Sequence, residues 1–238
     1  MRLAPAPDSV ENQLVASWQP GFCATAAGRN KQECRTQTAD RPDATQFSIH
    51  GLWPDDLDNK SAFPCYCNQA SPIGCRRNST DVDQLDISPG VLAQLQVAMP
   101  GTQSDLQLHE WSKHGTCYER YLTGTDAGAD PDEYFADTMA LLAKLNDSPV
   151  RDLFVAHVGH DLTASEIEAA FDASFGAGAG KRVVVRCDDD TGVITELWIG
   201  LKGAITADSD LGALILAAPP TTTSTDERSC DGAVVKVN

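Results

Sequence analysis

The sequence predicts an α+β fold in a single domain over residues 1–238, with a mainly antiparallel sheet that is flanked by helices and cross-linked by disulfides. Strand-like and helix-like segments follow one another without regular βα alternation, which argues against a doubly wound sheet. Hydrophobic residues make up 42% and charged residues 22% of the chain, as in globular proteins. Its eight cysteines are scattered along the chain. A chain of this length can bury roughly 70–75% of its unfolded surface, so one large core is expected.

Two strand candidates lie in the first quarter of the chain. Residues 14–18 form a short apolar run that is stopped by Pro20 and Gly21. Residues 47–53 alternate apolar with small or polar side chains and end at Pro54. Successive side chains of a strand point to opposite faces. The alternation therefore predicts two faces, one with Phe47, Ile49 and Gly51 and the other with Ser48, His50 and Leu52.

Helix patterns occupy the middle of the chain. Ser88 followed by Pro89 indicates a helix start, and the apolar periodicity continues to Met99. Thr163 and Glu166 form a capping box, which predicts a helix that ends near Phe175. Two further helices are predicted at about 131–145 and 149–157.

The remaining segments are predicted loops and strands. The β-branched runs 182–187 and 193–199 flank an Asp-rich turn that ends in Gly192, which indicates a hairpin. Residues 233–237 are a predicted edge strand. Loops are predicted at 55–84, 123–130 and 217–229, where Pro, Gly, Ser or Thr residues recur.

The net charge of −16 at pH 7 limits the partners that this chain can bind. Proteins that coat nucleic acid or bind anionic membranes need basic patches, so those two classes are excluded. No apolar run approaches the roughly 18 residues of a membrane span, and we expect no membrane partner. An enzyme that touches an anion at one small site remains compatible with this charge.

The cysteine count indicates four disulfides in an oxidising compartment. The alternative is a cytosolic protein with free thiols or a metal site. The first residues lack the apolar segment of a signal peptide, so an exported protein would be in its mature form. Spacing alone does not fix the pairing of the cysteines, which are Cys23, Cys34, Cys65, Cys67, Cys75, Cys117, Cys187 and Cys230.

The densest group of ionisable residues lies between His109 and His114. In a helix, Glu110, Lys113 and His114 lie about 100°, 40° and 140° around the axis from His109. Four ionisable side chains therefore share one arc, and Cys117 falls inside it. A disulfide from Cys117 would pin this charged face against protein, which is not typical of a solvated helix face.

A zinc site is one interpretation of these histidines, but the spacing disfavours it. Zinc proteases place two histidines at i and i+4, whereas here the spacing is H-E-x-x-x-H with Lys113 between the imidazoles. We therefore expect neither a metal nor a cofactor. Two imidazoles near neutral pKa can instead divide general-acid and general-base work. His50, on its predicted strand, is a candidate for the second imidazole.

Two segments carry a resemblance to a known family. Residues 47–54 (FSIHGLWP) and 108–117 (LHEWSKHGTC) closely resemble the two active-site segments of the ribonuclease T2 family. Residues 17–23 (SWQPGFC) look like that family's early strand and the cysteine after it. The resemblance is strong over roughly residues 14–121 and weak in the C-terminal half.

The resemblance implies an α+β endoribonuclease of broad base preference that is secreted or periplasmic. It implies cleavage of RNA to a 2′,3′-cyclic phosphate, followed by hydrolysis to a 3′-phosphate. The RNA partner would be bound transiently, and we expect a monomer. On this resemblance, His114 matches the general base, His50 the general acid, Glu110 and Lys113 the residues that stabilise the pentacovalent phosphate, and His109 a phosphate-binding histidine.

The resemblance also assigns a base-recognition region. Trp53 matches a residue that stacks on the base, and Asp55 matches one that hydrogen-bonds to a base edge. An aromatic residue expected soon after that aspartate has no clear counterpart, and Tyr66 is one candidate. By contrast, Trp18 and Trp111 are expected in the core, and His157 and His160 are expected to be structural or surface residues.

The resemblance and the order along the chain suggest the disulfides Cys23–Cys34, Cys75–Cys117 and Cys187–Cys230. Two cysteines, Cys65 and Cys67, remain. A bridge between residues so close in sequence is strained. Either these two pair with each other or one of them replaces Cys75.

Three hypotheses of function follow from the sequence. The first is a metal-independent endoribonuclease. The second is a catalytically idle relative that binds RNA or a protein partner, which the joint presence of His50, Glu110, Lys113 and His114 disfavours. The third is a zinc hydrolase, which the histidine spacing disfavours.

Overall fold

The computed structural model describes residues 11–57, 64–68, 85–118, 130–220, 230 and 232–234, and the structural statements below concern these residues. The predicted α+β class is confirmed: antiparallel sheets pack with helices around a hydrophobic core. Most of residues 55–84, 123–130 and 217–229, which the sequence predicts as loops, lie outside the described residues. The same holds for Cys75.

The main sheet contains four antiparallel strands in the order β2-β1-β5-β4. Strand β1 (Glu11–Ser17) is buried along its whole length and pairs with both β2 (Ser48–Pro54) and β5 (Ile194–Lys202). Strand β4 (Val183–Cys187) pairs with β5 as the predicted hairpin. A separate pair joins β3 (Asp161–Thr163) to β6 (Gly232–Val234). The predicted last edge strand therefore belongs to this small pair and not to the main sheet.

Strand β2 contains a β-bulge, which the sequence alternation did not predict. Val15 of β1 pairs with Gly51, but the next residue, Ala16, pairs with Ile49, so His50 is an extra residue in β2. The extra residue shifts the alternation by one position. Ile49 and Leu52, which were predicted on opposite faces, therefore both lie in the hydrophobic core. His50 and Gly51 are both left on the side of the sheet that faces away from that core.

The long helices form where the sequence predicts them. Helix α3 (Pro89–Ala98) begins after Ser88, whose hydroxyl accepts the Val91 N–H. Helix α7 (Ala164–Phe175) begins with the predicted capping box. The other described helices are α1 (Gln19–Ala24), α2 (Gln32–Arg35), α4 (Leu106–Lys113), α5 (Pro131–Asn146), α6 (Pro149–Ala156) and α8 (Leu211–Ala217). Helices α1, α2 and α8 are short, and the sequence pattern did not reveal them.

Aromatic side chains connect the sheet to the helices. Trp18, Phe47 and Phe154 form a buried cluster with ring centroids 4.8–5.4 Å apart. The predicted core positions of Trp18 and Trp111 are confirmed, since they are 0% and 4% exposed. On α5, the hydroxyl of Tyr134 donates to the carbonyl of Leu52 over 2.9 Å and fixes β2 against the helix.

The disulfides correct one of the expected pairings. Cys23–Cys34 and Cys187–Cys230 are present as expected. Cys117, however, is bonded to Cys67 and not to Cys75. A bridge between Cys65 and Cys67 is thereby ruled out, and the second alternative, in which one of them replaces Cys75, is correct. The Cys67–Cys117 bond fixes residues 64–68 beside the end of α4.

Among the described residues, no helix combines the length and the apolar character that a bilayer span needs.

Candidate active site

The predicted site residues come from two elements, the bulged strand β2 and helix α4, which the fold brings into direct contact. Gly51 permits this contact because a side chain there would overlap the carboxylate of Glu110. Glu110 is 1% exposed, and its Oε2 accepts the indole N–H of Trp53 over 2.7 Å. The two segments that the sequence singled out therefore form one cluster.

His50 lies between two carboxylates. Its Nδ1 is 2.5 Å from Oε1 of Glu196, and its Nε2 is 3.5 Å from Oε1 of Glu110. The first distance is that of a strong hydrogen bond, whereas the second is an ion-pair contact only. The side chain of His50 is 30% exposed, so the imidazole is accessible to a substrate.

Glu196 is a site residue that the sequence analysis missed. It lies on β5, and its Oε2 accepts the indole N–H of Trp198 over 2.8 Å. Both carboxylate oxygens are thus hydrogen-bonded. No motif surrounds Glu196, and the only signal in the sequence was a lone carboxylate in a strand that is otherwise mostly apolar.

His114, which caps the end of α4, is 4% exposed. Its ring stacks on that of Trp53, with centroids 5.0 Å apart and planes 17° from parallel. The Trp53 ring also meets His50 edge-on at 5.3 Å. Trp53 therefore separates the two histidines and contacts both. Among the described residues, Nδ1 of His114 is buried without a hydrogen-bond partner.

The charges around His50 favour its protonated form. Burial alone lowers the pKa of His50, but the negative charges of Glu196 and Glu110 outweigh it and raise the pKa to about 9. For Glu196, burial alone raises the pKa, but the charge and hydrogen bond of His50 and the Trp198 N–H hold that pKa below its ordinary value. The pair is therefore an imidazolium and a carboxylate at neutral pH.

The pKa values of His109 and His114 shift in the opposite direction. Burial and the positive charge of Lys113 hold the pKa of His114 well below its ordinary value. The same two causes, in the same order, lower the pKa of His109, and the charge of His50 adds to them. Burial raises the pKa of Glu110, although His50, Trp53 and Lys113 oppose that shift. At neutral pH the positive charge is therefore concentrated on His50 and Lys113.

A cavity of about 300 Å³ opens beside His50. His50, Glu196 and His109 line it, together with charged groups at the start of α2 and just before α4. The charged side chains there are Lys31, Glu33 and Asp105. The described residues contain no group of three or more His, Cys, Asp or Glu side chains that could hold a metal ion.

The residues considered for base recognition lie at the end of β2 and in residues 64–68. Asp55 is 6% exposed, and its Oδ1 accepts the N–H of Asp56 over 2.8 Å. Tyr66 is 4% exposed, and its N–H donates to the carbonyl of Lys113 over 2.9 Å. Both side chains are thus largely enclosed by protein, whereas Trp53 is partly exposed.

Comparisons with known proteins agree with this geometry. The model of the ribonuclease T2 family matches residues 12–213. Ribonuclease I of Escherichia coli is 29% identical over 206 residues, covering 79% of this chain and 74% of that protein. Extracellular ribonuclease LE of Solanum lycopersicum is 36% identical over 119 residues, covering 48% of this chain and 44% of that protein.

Solved structures are similar in fold. RNase NT, in complex with 5′-AMP, superposes with a TM-score of 0.55 at 20% identity, covering 81% of this chain and 85% of that one. Human RNase T2 superposes with a TM-score of 0.51 at 17% identity, covering 81% of this chain and 85% of that one. Sequence match, fold and the joined β2 and α4 segments lead to one conclusion: the chain belongs to the ribonuclease T2 family of endoribonucleases.

Proposed function

We propose that the protein cleaves single-stranded RNA with broad base preference, through a 2′,3′-cyclic phosphate to a 3′-phosphate, and that it needs no metal or cofactor. The observation that carries this proposal is the pair of histidines on either side of Trp53. Their pKa values shift in opposite directions, that of His50 to about 9 and that of His114 well below its ordinary value. An acid and a base that are both ready at neutral pH are what this reaction needs.

In the first step, neutral His114 removes the proton of the 2′-hydroxyl, and the 2′-oxygen attacks the adjacent phosphorus. The bond from phosphorus to the 5′-oxygen breaks, and protonated His50 delivers a proton to that oxygen. In the hydrolysis of the cyclic phosphate, His50 acts as the base and His114 as the acid. His50 then takes a proton from water, the new oxygen attacks phosphorus, and His114 returns a proton to the departing 2′-oxygen.

Other residues of the cluster stabilise the charge of the pentacovalent phosphate. Lys113 supplies a positive charge close to both histidines. Burial raises the pKa of Glu110, so this carboxylate takes up a proton more readily than an exposed one and, once protonated, can donate a hydrogen bond to a phosphoryl oxygen. His109 is held neutral and can still donate one hydrogen bond to the phosphate.

The cavity and the Trp53 side of the cluster would bind different nucleotides of the substrate. The acid must lie next to the leaving 5′-oxygen, so the cavity beside His50 would receive the nucleotide that follows the scissile phosphate. The base before the scissile phosphate would lie towards Trp53 and Asp55. The partly exposed ring of Trp53 can stack on any base, which is consistent with broad preference.

The test is to incubate the protein with single-stranded RNA in EDTA and to identify the new ends. Cyclic-phosphate or 3′-phosphate ends support the proposal. Products that carry 5′-phosphates and form only without EDTA would support the zinc hydrolase. An absence of cleavage between pH 4 and pH 10 would point to the idle relative.

Two substitutions test the acid and the base. His50→Phe and His114→Phe should each lower kcat by about 10²–10⁴-fold, which is the usual contribution of a general acid or base. The matched control is His160→Phe, because His160 is exposed and outside the cluster. Circular dichroism shows that the variants are folded. If either His50→Phe or His114→Phe keeps full activity, the assignment is wrong.

We further propose an oxidising compartment, either secreted or periplasmic, as the place of action. The bonds Cys23–Cys34, Cys67–Cys117 and Cys187–Cys230 support this, because disulfides rarely persist in a reducing cytosol. We also propose that residues 1–238 act as one ribonuclease domain and as a monomer. Light scattering of the purified protein, with and without a thiol reductant, tests both the oligomeric state and the dependence on disulfides.

A further inference from the structure

Glu196 reaches His50 across an intervening strand. In the sheet order β2-β1-β5-β4, β1 separates the strand of His50 from the strand of Glu196. The residue of β1 opposite Glu196 is Ser17, so the two side chains lie on the same face. Ser17 is small and lines the same cavity as the other two residues. It leaves room for the carboxylate to contact the imidazole.

The contact between Glu196 and His50 is directional. Oε1 of Glu196 lies 2.5 Å from Nδ1 of His50, while Trp198 holds Oε2 with a hydrogen bond of 2.8 Å. Trp198 is itself held, since the guanidinium of Arg186 stacks over its ring at 4.7 Å and the edge of Trp53 meets it at 5.1 Å. A carboxylate fixed at both oxygens fixes the plane of the imidazole.

The two nitrogens of His50 therefore have different surroundings. Nδ1 is occupied by Glu196, whereas Nε2 faces Glu110 at 3.5 Å without a hydrogen bond. An acceptor at Nδ1 keeps a proton there and leaves the proton on Nε2 for transfer. This arrangement suits an acid that must release one proton to a leaving oxygen.

We propose that Glu196 is the positioning residue of the general acid: it holds the imidazole of His50 through Nδ1, so that Nε2 is directed at the leaving 5′-oxygen. This inference rests on the proposed function. Glu110 performs a different task, since it lies beside Nε2 and receives the Trp53 N–H. Glu196 does not contact the phosphate and acts through His50.

Other charged groups also face His50 and must be held constant in a test. They are Glu110, Lys113, His109 and His114 on and after α4, Lys31, Glu33 and Asp105 around the cavity, and Arg186 behind Glu196. A single substitution at Glu196 leaves all of them in place. Glu196→Gln is the sharpest choice, because it keeps the shape of the side chain and removes its charge.

The experiment measures kcat and KM against pH for Glu196→Gln and for the wild type, on single-stranded RNA. We expect kcat to fall about 10- to 100-fold with little change in KM. A general acid contributes about 10²–10⁴-fold to the rate, and the substitution should remove part of that contribution. The alkaline limb of the pH profile should move down by about 1–3 pH units, while the acidic limb, which reports His114, stays in place. The matched control Glu168→Gln removes the same charge from an exposed position of α7 and should change neither limb.

A second substrate separates positioning from a merely structural effect. A nucleoside 3′-(4-nitrophenyl phosphate) has a leaving group that departs without a proton, so a defect in the general acid should nearly vanish. We expect Glu196→Gln to cleave it within about threefold of the wild-type rate. An equal loss on both substrates would mean general disorder of the site and would overturn the proposal.

The outcomes distinguish this proposal from the one it rests on. If the wild type does not cleave RNA, both proposals fail. If the wild type cleaves and His50→Phe does not, but Glu196→Gln keeps the wild-type kcat and alkaline limb, only the role of Glu196 is wrong. Should Glu196→Gln fold poorly, the NMR titration of His50 in Glu196→Asp, which keeps the charge but is one methylene shorter, decides. A His50 pKa below that of the wild type supports the direct contact, and an unchanged pKa contradicts it.

Discussion

The closest approach between β2 and α4 gives the sharpest test of how the site is built. Gly51 lies where a Cβ atom would overlap Oε2 of Glu110 and come within 2.8 Å of its Cδ and 2.7 Å of the Trp53 indole nitrogen. Real Cβ atoms do not approach heavy atoms this closely, so Gly51→Ala must displace the Glu110 carboxylate. The backbone is not the obstacle, because Gly51 does not have a positive φ.

The expected cost follows from the hydrogen bond that is lost. The Trp53–Glu110 bond of 2.7 Å involves a buried carboxyl group, and such bonds contribute about 1.5–3 kcal/mol when the acceptor is charged. Alanine in a strand recovers about 0.5–1 kcal/mol relative to glycine. The net loss is about 1–2 kcal/mol, which lowers Tm by about 2–4 °C for each kcal/mol in a chain of this size. Displacement of Glu110 by about 1 Å should lower kcat by about 10²-fold.

Differential scanning calorimetry and RNA cleavage kinetics measure the two effects. The matched control is Gly90→Ala on α3, where an added Cβ meets nothing within 4 Å. Gly90→Ala should keep kcat and have an equal or higher Tm, because alanine is the better helix former. The reasoning is refuted if Gly51→Ala matches Gly90→Ala in both Tm and kcat.

Three further predictions concern pH, salt and the disulfides. The proposed mechanism requires protonated His50 and neutral His114, so kcat should fall as the pH rises through about 9. On the acid side, kcat should fall only well below the ordinary histidine pKa; a maximum confined to acidic pH would contradict the assignment. With a net charge of −16, the protein repels RNA, and modest added salt should lower KM by screening; a steady rise of KM would count against this. Replacing Cys67 and Cys117 together by serine opens a loop with a sequence separation of 50 and should cost about 4 kcal/mol of unfolding free energy, measured by urea titration; a loss below about 1 kcal/mol would show that this bond does not stabilise the fold.

Local signals in the sequence were enough to predict most elements. The capping box of Thr163 and Glu166 and the Ser88 cap report interactions within a few residues, and both helices begin there. The cluster of His109, Glu110, Lys113 and His114 was predictable for the same reason, since helical geometry fixes their relative directions. The family resemblance then joined this cluster to His50.

What the sequence did not predict depends on contacts between distant segments. Cysteine spacing does not determine which side chains meet, so the choice between Cys67 and Cys75 required the fold. No signal in the sequence marked Glu196 as a site residue, because its contact with His50 joins strands that are two positions apart in the sheet. The pKa values of His50 and His114 shift in opposite directions because of Glu196 and because of burial. Neither cause can be recognised in the two sequence segments that contain these histidines.

The β-bulge explains how a single strand supplies so many parts of the site. In a regular strand, His50 and Gly51 would point to opposite faces, and only one of them would face α4. The extra residue lets His50 reach Glu196 while Gly51 makes room for Glu110, and Trp53 still lies on the same side. Ile49 and Leu52 remain in the core and hold the bulge in place. Deletion of one residue here would therefore do more than shorten the strand. It would turn either His50 or the position of Gly51 towards the core.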